Sequence, residues 1–222
     1  MKNVTLIIPA KNESEALPIV LNKLRKFNFK IIVVLHKSDV RTINAIKKFK
    51  IKILYQSNKG YGDALIKGIN NCTTDLFCIF NADGSFKATE IIKMKKFLQS
   101  KKLDFVFGSR YQKNSGSQDD TIITLIGNYF FTKIGQLFFN LPITDILYTF
   151  VLGKTSSAKK LKLNQKNFSF CVELPIKAVK AKMLIKSSSA YEFKRIAGEK
   201  KVNEFRDGLK IIIYMIKLFF NR

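Results

Sequence analysis

The sequence predicts an α/β protein, a three-layer α/β/α sandwich around a mostly parallel sheet that takes up the first 110 residues or so. Two observations carry this expectation. Short β-rich apolar runs alternate with stretches of helical apolar spacing, and strand and helix repeating in that order imply parallel crossovers. One run, Phe77-Cys78-Ile79-Phe80-Asn81-Ala82-Asp83-Gly84-Ser85, ends abruptly in a lone acid followed by Gly and Ser. That puts Asp83 outside the carboxyl end of a buried strand, where ligands gather in open α/β sheets.

In chain order the strand-like runs are Val4 to Ile8, Lys30 to Leu35, Ile51 to Tyr55, Leu76 to Asn81 and Asp104 to Ser109. Each is short, rich in β-formers and bounded by polar or turn residues. Between them, Ser14 is expected to cap a helix whose apolar face is Leu17, Val20, Leu21 and Leu24. Val40, Ile43 and Ile46 mark a second helix, Ala64 to Cys72 a third and Ile91 to Leu98 a fourth. From Ile122 to Phe139 the chain is strongly apolar, but Thr124, Asn128, Thr132, Lys133 and Gln136 interrupt it. This favours a buried or interfacial helix over a membrane span. The C-terminal run from Leu209 to Phe220 is too short to cross a bilayer core of about 30 Å. A helix from about Glu204 to Phe220 either packs on the core or lies in a membrane interface with Lys210, Lys217 and Arg222 at the headgroups, and both settings stay open.

Composition bounds the partners. With 222 residues and 46% apolar content the chain can bury one sizeable core, and no Ser/Gly/Pro-rich linker divides it. Cys72, Cys78 and Cys171 lie far apart without C-x-x-C spacing, as reduced core residues do, so a structural zinc site is not expected. Val4 to Ala10 is short for a signal-peptide core, and the chain is expected to stay in the cytoplasm. The net charge of +24 invites a polyanion. Only six of the forty basic residues are Arg, however, and the lysines are scattered without an RNP-like aromatic motif. Nucleic acid is therefore not expected as a partner. An anionic membrane surface fits better, since each Lys or Arg near such lipid is worth about 1 kcal/mol.

At the strand end, Asp83 with the amide of Asn81 could hold a hard divalent cation that keeps waters and substrate phosphates, a geometry suited to a nucleotide diphosphate. The alternative is that Asp83 caps the helix starting near Thr89 or closes a turn. His36, the single histidine, excludes a His-based metal cluster and has no acid in sequence reach for a triad, leaving it a nucleotide-side contact or a surface residue.

Four loops sit at one sheet edge: Ile8-Pro9-Ala10-Lys11-Asn12-Glu13, Asn58-Lys59-Gly60-Tyr61-Gly62-Asp63-Ala64, Asn81-Ala82-Asp83-Gly84 and Gly108-Ser109-Arg110-Tyr111. Three later fragments follow in order, Ile143-Thr144-Asp145-Ile146-Leu147, Phe170-Cys171-Val172-Glu173-Leu174 and Arg195-Ile196-Ala197-Gly198-Glu199-Lys200-Lys201. Together, across roughly residues 4 to 208, they resemble family 2 glycosyltransferases of the GT-A fold, most closely the dolichyl-phosphate mannosyltransferase-like, polyprenyl-phosphate branch.

The resemblance implies a single domain over 1–222 with a nucleotide-diphospho-sugar transferase-like sheet: a nucleotide-sugar-binding half to residue 110, an acceptor-side half over 111–208 and an apolar C-terminal helix over 209–222. It implies a donor bound by Pro9, Lys11, Glu13, Lys59, Gly60, Gly62, Ala64, Asn81, Ala82 and Asp83, with Asp83 and Asn81 holding Mg²⁺ or Mn²⁺. Gly60 and Gly62 would let backbone approach the donor, or would serve a structural turn. Arg110, Arg195 and Lys201 offer charge for an acceptor phosphate. The chain departs from the family pattern in three places. Leu35-His36-Lys37-Ser38 stands where the family has Asp-Asp-Gly-Ser, Lys11 where an aromatic is common, and Asn81 where an acid is common. The metal site therefore keeps one charge and the base is left open.

The implied reaction moves a sugar, with inversion, from a nucleotide diphosphate to an acceptor, and the acceptor decides the rest. A polyprenyl phosphate arrives ionised and needs charge clamps and positioning, the case that suits Arg110, Arg195 and Lys201. A sugar hydroxyl needs a base, for which Asp145 is the first candidate and Asp119 or Asp120 the reserve. A catalytically silent, membrane-associated scaffold on the same fold is the third reading, and the expected location is the cytoplasm, with peripheral attachment to the cytoplasmic face of a membrane.

Overall fold

The computed structural model describes residues 3–58 and 60–220. The first half follows the alternation: β1 (Val4–Pro9), α1 (Ala16–Leu24), β2 (Lys30–Leu35), α2 (Val40–Ile46), β3 (Lys52–Tyr55), α3 (Tyr61–Asn70), β4 (Leu76–Ile79), α4 (Ala88–Ser100) and β5 (Phe105–Ser109). The second half adds β6 (Gly116–Ser117), α5 (Ile122–Phe139), β7 (Val151–Lys154), α6 (Thr155–Lys160), α7 (Phe170–Lys180), β8 (Ile185–Ser189), β9 (Tyr191–Glu192) and α8 (Glu204–Phe220). Ser14 does not cap α1. The residue before that helix is Glu15, with no side-chain cap, and the chain enters through a turn in which Leu17 N donates to Glu13 O. Asp39 does cap α2, through Thr42 N.

The main sheet has the order β3-β2-β1-β4-β7-β5-β8, with β7 the antiparallel member between β4 and β5. Strand residues alternate between its faces. Ile7, Phe77, Ile79 and Phe105 join the core under α3, α5, α6, α7 and α8, while Leu6, Ile8, Cys78 and Val106 join the core under α1, α2 and α4. All three cysteines are buried and free, as expected of core residues. From β1 the chain winds outward to β2 and β3, then returns to place β4 on the other side of β1. That reversal opens a crevice at the carboxyl ends of β1 and β4. The pairing of Ile7 with Ile79 brings the loop after Pro9 and the loop carrying Asp83 side by side.

Polar residues that interrupt α5 in sequence turn out to fasten it. Asn128 Oδ1 accepts from Leu147 N at 3.0 Å, Thr132 Oγ1 from Ile146 N at 3.2 Å, and Gln136 Nε2 donates to Ile143 O at 2.9 Å. Spaced four apart, they form one stripe along the helix. By length and composition alone α5 could cross a membrane, and 28% of that window is buried. Its opposite side leaves Ile122, Ile126, Tyr129 and Leu137 exposed. α8 divides in the same way, with Ile211, Tyr214, Met215 and Leu218 inside and Phe205, Leu209, Ile213, Ile216 and Phe220 outside.

A second fastening lies under α3. Glu173, fully buried on α7, accepts from Asn164 N and Gln165 N, receives Tyr214 Oη at 3.1 Å and pairs with Lys177 at 2.7 Å. It thereby holds the 164–167 backbone against the start of α3, where Lys166 O accepts from Asp63 N. A Cβ on Gly60 would lie 2.1 Å from Lys166 O, and one on Gly62 2.0 Å from Gln165 O. Gly62→Ala should therefore destabilise the fold by about 1–3 kcal/mol through overpacking, read by urea denaturation. Unchanged stability would mean that this backbone contact is not what requires the glycine.

Candidate active site

The loop after β1 is held open by its neighbours. Asn12, in the left-handed region at φ 55°, donates its backbone N–H to Asp39 Oδ2 at 2.7 Å, and Glu13 N donates to Thr42 Oγ1 at 2.9 Å. Pro9, Lys11 and Glu13 consequently line one cavity of about 1600 Å³ over the strand ends. Ser38 N donates to His36 Nδ1 at 3.2 Å on the same wall.

The loop after β4 brings Asn81, Ala82 and Asp83 to this cavity. Asp83 Oδ1 accepts from Ser85 N at 3.0 Å and Ser85 Oγ at 2.7 Å, closing a turn. Asn81 Nδ2 donates to the same Ser85 hydroxyl at 3.1 Å. Those bonds leave Asp83 Oδ2 and Asn81 Oδ1 as oxygen donors, the chemistry a hard divalent cation takes. Among the described residues no three His, Cys, Asp or Glu side chains gather as a metal cluster, so such a cation would draw its other ligands from water and phosphate. Gly84 has φ 86°, and a Cβ there would strike the Ile196 side chain at 2.4 Å. Glycine is required at this point both for its angle and for the close approach.

Ile196 belongs to a strap, residues 193–203, that crosses the Asp83 loop. Phe193 N donates to Ser85 O and Ile196 N to Asp83 O. Arg195 Nη2 meets Asp119 Oδ2 at 2.6 Å, tying the strap to the loop before α5. Lys201 Nζ stands 4.0 Å from Glu13 Oε1, while Glu13 Oε2 is buried without a partner. Burial pushes the Glu13 carboxyl up to about 7, with the Asp83 charge adding to the rise and Lys201 and Arg195 opposing it.

Just past the end of β5 Arg110 is enclosed, its side chain only 10% exposed. Its Nε and Nη2 grip Asp145 Oδ2 and Oδ1 at 2.8 and 3.0 Å, its backbone N–H adds a third bond to Oδ2, and its Nη1 meets Glu192 Oε2 at 3.0 Å and Asp120 Oδ1 at 3.5 Å. Burial opposes the guanidinium charge, and Asp145 and Glu192 more than offset that, so its pKa is raised. Tyr148 packs beneath the guanidinium, its ring centroid 4.7 Å from Arg110 Cζ.

Pro9, Lys11, Glu13, Gly60, Ala64, Asn81, Ala82, Asp83, Arg110, Arg195 and Lys201 thus share one cavity, whereas Gly62 and Asp145 do not line it. Lys59 lies outside the described residues, as does Arg222. The close approach permitted by Gly60 and Gly62 is taken by the 165–167 backbone of the chain itself. Asp145 is 0% exposed and spends both oxygens on Arg110, so the structure gives it no reach to an acceptor hydroxyl. Asp119 is held by Arg195, and Asp120 accepts from Tyr111 Oη and Thr124 Oγ1, both at 2.5 Å. Sequence reasoning missed Asp39, Glu192, Tyr148 and Asn128. Asn128 had a signal, the four-residue spacing of polar residues along α5, while Glu192 reaches Arg110 across 82 positions with no local mark.

Residues 5–162 match the family model for glycosyl transferase family 2. The chain is 27% identical over 208 residues to the UDP-N-acetylglucosamine–dolichyl-phosphate N-acetylglucosaminyltransferase of Methanococcus voltae, with 83% of each chain covered. It is 25% identical over 194 residues to the dolichol-phosphate mannosyltransferase of Pyrococcus furiosus, covering 82% of this chain and 54% of that one, so it spans about half the length of that relative. The glucosyl-3-phosphoglycerate synthase of Mycobacterium tuberculosis, solved in complex with uridine diphosphate, superposes with a TM-score of 0.73 at 12% identity over 98% of this chain and 80% of that chain, a likeness of fold. The matched region takes in the strand-end loops that build the cavity, and the chain belongs to glycosyl transferase family 2, a glycosyltransferase with a GT-A-type fold.

Proposed function

We propose that the protein transfers a sugar, with inversion, from a nucleotide diphosphate to a polyprenyl phosphate. The observation that carries the choice of acceptor is the state of the carboxylates. Asp145 is sealed under Arg110, Asp119 is paired with Arg195, and Asp120 is held by Tyr111 and Thr124. None of these three acids is free to act as a base, which an already ionised phosphate does not need and a sugar hydroxyl does. The two relatives named above act on dolichyl-phosphate acceptors by their descriptions, in line with this choice.

The residues divide the work. Asp83 Oδ2 and Asn81 Oδ1 would hold Mg²⁺ or Mn²⁺, which when bound supplies Lewis-acid stabilisation of the departing nucleoside diphosphate. Pro9, Lys11, Glu13 and His36 wall the nucleotide end. Arg195 Nη1, which carries no hydrogen bond among the described residues, and Lys201 bring positive charge on the strap to the phosphates. Arg110 positions the acceptor side by holding Asp145, Glu192 and Asp120, and does not serve as a free clamp. The exposed apolar sides of α5 and α8, in a chain of net charge +24, suit an anionic membrane surface from which a lipid acceptor is drawn. We place the protein in the cytoplasm, peripheral on that membrane.

The test is transfer by the full chain, with Mn²⁺, from a panel of nucleotide sugars to polyprenyl phosphate in anionic vesicles that salt should not strip of protein. Product should form with one donor, and Asp83→Ala should abolish both transfer and the Mn²⁺-dependent melting shift with a nucleoside diphosphate while leaving the melting temperature of the free protein in place. A wild-type shift in Asp83→Ala would reduce Asp83 to a turn residue. Transfer to a free sugar hydroxyl and not to the lipid would overturn the acceptor.

Glu13 generates a pH prediction. Its folded pKa, about 7, lies above the ordinary 4.5, so the protonated carboxyl stabilises the fold fully below about pH 4.5, and that contribution is lost as pH rises through about 7. Glu13→Gln, neutral throughout, should hold its melting temperature across that window while the wild type declines. Parallel curves for the two proteins would show that Glu13 is not buried in solution.

A further inference from the structure

Asn128 is 1% exposed and belongs to the cavity wall, yet its Nδ2 has no hydrogen-bond partner among the described residues. The bond from Leu147 N to Oδ1 fixes the amide's orientation, so the unpaired group is the donor. A buried donor left unsatisfied is costly and calls for an explanation, of which a ligand is one. Beside it, Gly127 sits inside α5, where glycine is the weakest helix former after proline. A Cβ at Gly127 would meet nothing within 4 Å, so packing does not require the glycine. On α8, Gly208 also lines the cavity, and a Cβ there would come no closer than 3.8 Å to Phe131.

Two glycines on neighbouring helices thus leave a groove that runs into the cavity holding Asp83. Its floor is Phe131 and Ile211, both buried, and its rim is Ile123, Ile126 and Phe205, exposed by 58%, 62% and 82%. Of the polar residues that line the cavity along these helices, Thr124 Oγ1 is spent on Asp120 and Asp207 Oδ2 on Asn203 N, and Lys210 adds positive charge. An apolar rim over a bare floor, continuous with a polar site that ends in an unpaired donor, matches one molecule that is apolar along its length and anionic at one end.

We propose that the α5–α8 groove seats the hydrocarbon chain of the acceptor, passing over Gly127, and that Asn128 Nδ2 donates to the acceptor's phosphate at the inner end. This rests on the lipid-phosphate reading above. A donor aimed at an ionised oxygen forms the stronger, charge-assisted kind of hydrogen bond, which compensates its burial. Gly127 is then a specificity residue for chain length and Asn128 a binding residue for the head.

The experiment uses the full chain and its working donor, with a short-chain and a long-chain prenyl phosphate in detergent. Gly127→Phe should lower kcat/KM roughly tenfold or more for the long chain and leave the short chain and donor-induced melting shifts unchanged. Gly127→Ala, which places one methyl in open space, should retain activity on both and melt no lower than wild type. If Gly127→Phe fails to fold, Gly127→Leu must give the same chain-length split. Asn128→Asp keeps the acceptor for Leu147 N and replaces the donor by an oxygen, so KM should rise for both chains while donor binding stays. Equal effects of the Gly127 changes on both chains, or none, would overturn the groove while leaving the transfer reaction standing, and an unchanged KM in Asn128→Asp would overturn the phosphate contact. A wild type that uses no prenyl phosphate would remove the acceptor reading and the groove together.

Discussion

Arg110 is the charge around which the segments beyond β5 are assembled. It stands just past the end of β5, and its guanidinium reaches Asp145 from the loop before β7, Glu192 from β9 and Asp120 from the loop before α5. A lone buried cation would be prohibitive, and so would any of these carboxylates alone. Together they satisfy one another, and burial of the set pins three separate segments to one strand end. Glu192, raised by burial and restrained by Arg110, is also held by Ser117 at 2.6 Å, which fixes the small β6–β9 ladder next to the same strand.

The Asp83 loop depends on that arrangement through the strap. Residues 193–203 leave β9 directly after Glu192, cross the Asp83 loop through two backbone bonds, take Arg195 to Asp119 and bring Lys201 towards Glu13 before entering α8. In a chain of +24, acids are scarce, sixteen in all, yet ten of them, Glu13, Asp83, Asp119, Asp120 and Glu192 included, line this one cavity, and Asp145 is held beside it by Arg110. Their placement offsets local positive charge where a cation and a diphosphate must coexist. Arg195 and Lys201 on the strap are two of the positive charges that line the cavity.

Much of this was legible in the sequence because it is local. The strand runs, the loops at one sheet edge and the lone acid after β4 follow from apolar spacing and turn residues, and α8 spans the expected Glu204 to Phe220. What escaped was set by distant partners. Gly60 and Gly62 look like donor-loop glycines until the 165–167 backbone, about a hundred positions away, is seen to fill their space. Asp145 looks like a base until its two oxygens are found on Arg110, 35 positions earlier. Ser14 looks like a cap until the chain enters α1 by a turn from Glu13. The C-terminal helix was undecided between core and interface, and the structure gives it one buried and one exposed apolar side.

The central claim, that Arg110 is spent in holding these segments together, is tested most directly by a double-mutant cycle on stability. Arg110→Gln and Asp145→Asn would be measured singly and together by urea denaturation at neutral pH. Each single change should cost about 3–5 kcal/mol by stranding a buried charge. The double variant should fall short of the sum, with an interaction energy of about 2 kcal/mol or more. Additivity within about 0.5 kcal/mol would contradict the claim and return Arg110 to the role of a free phosphate clamp.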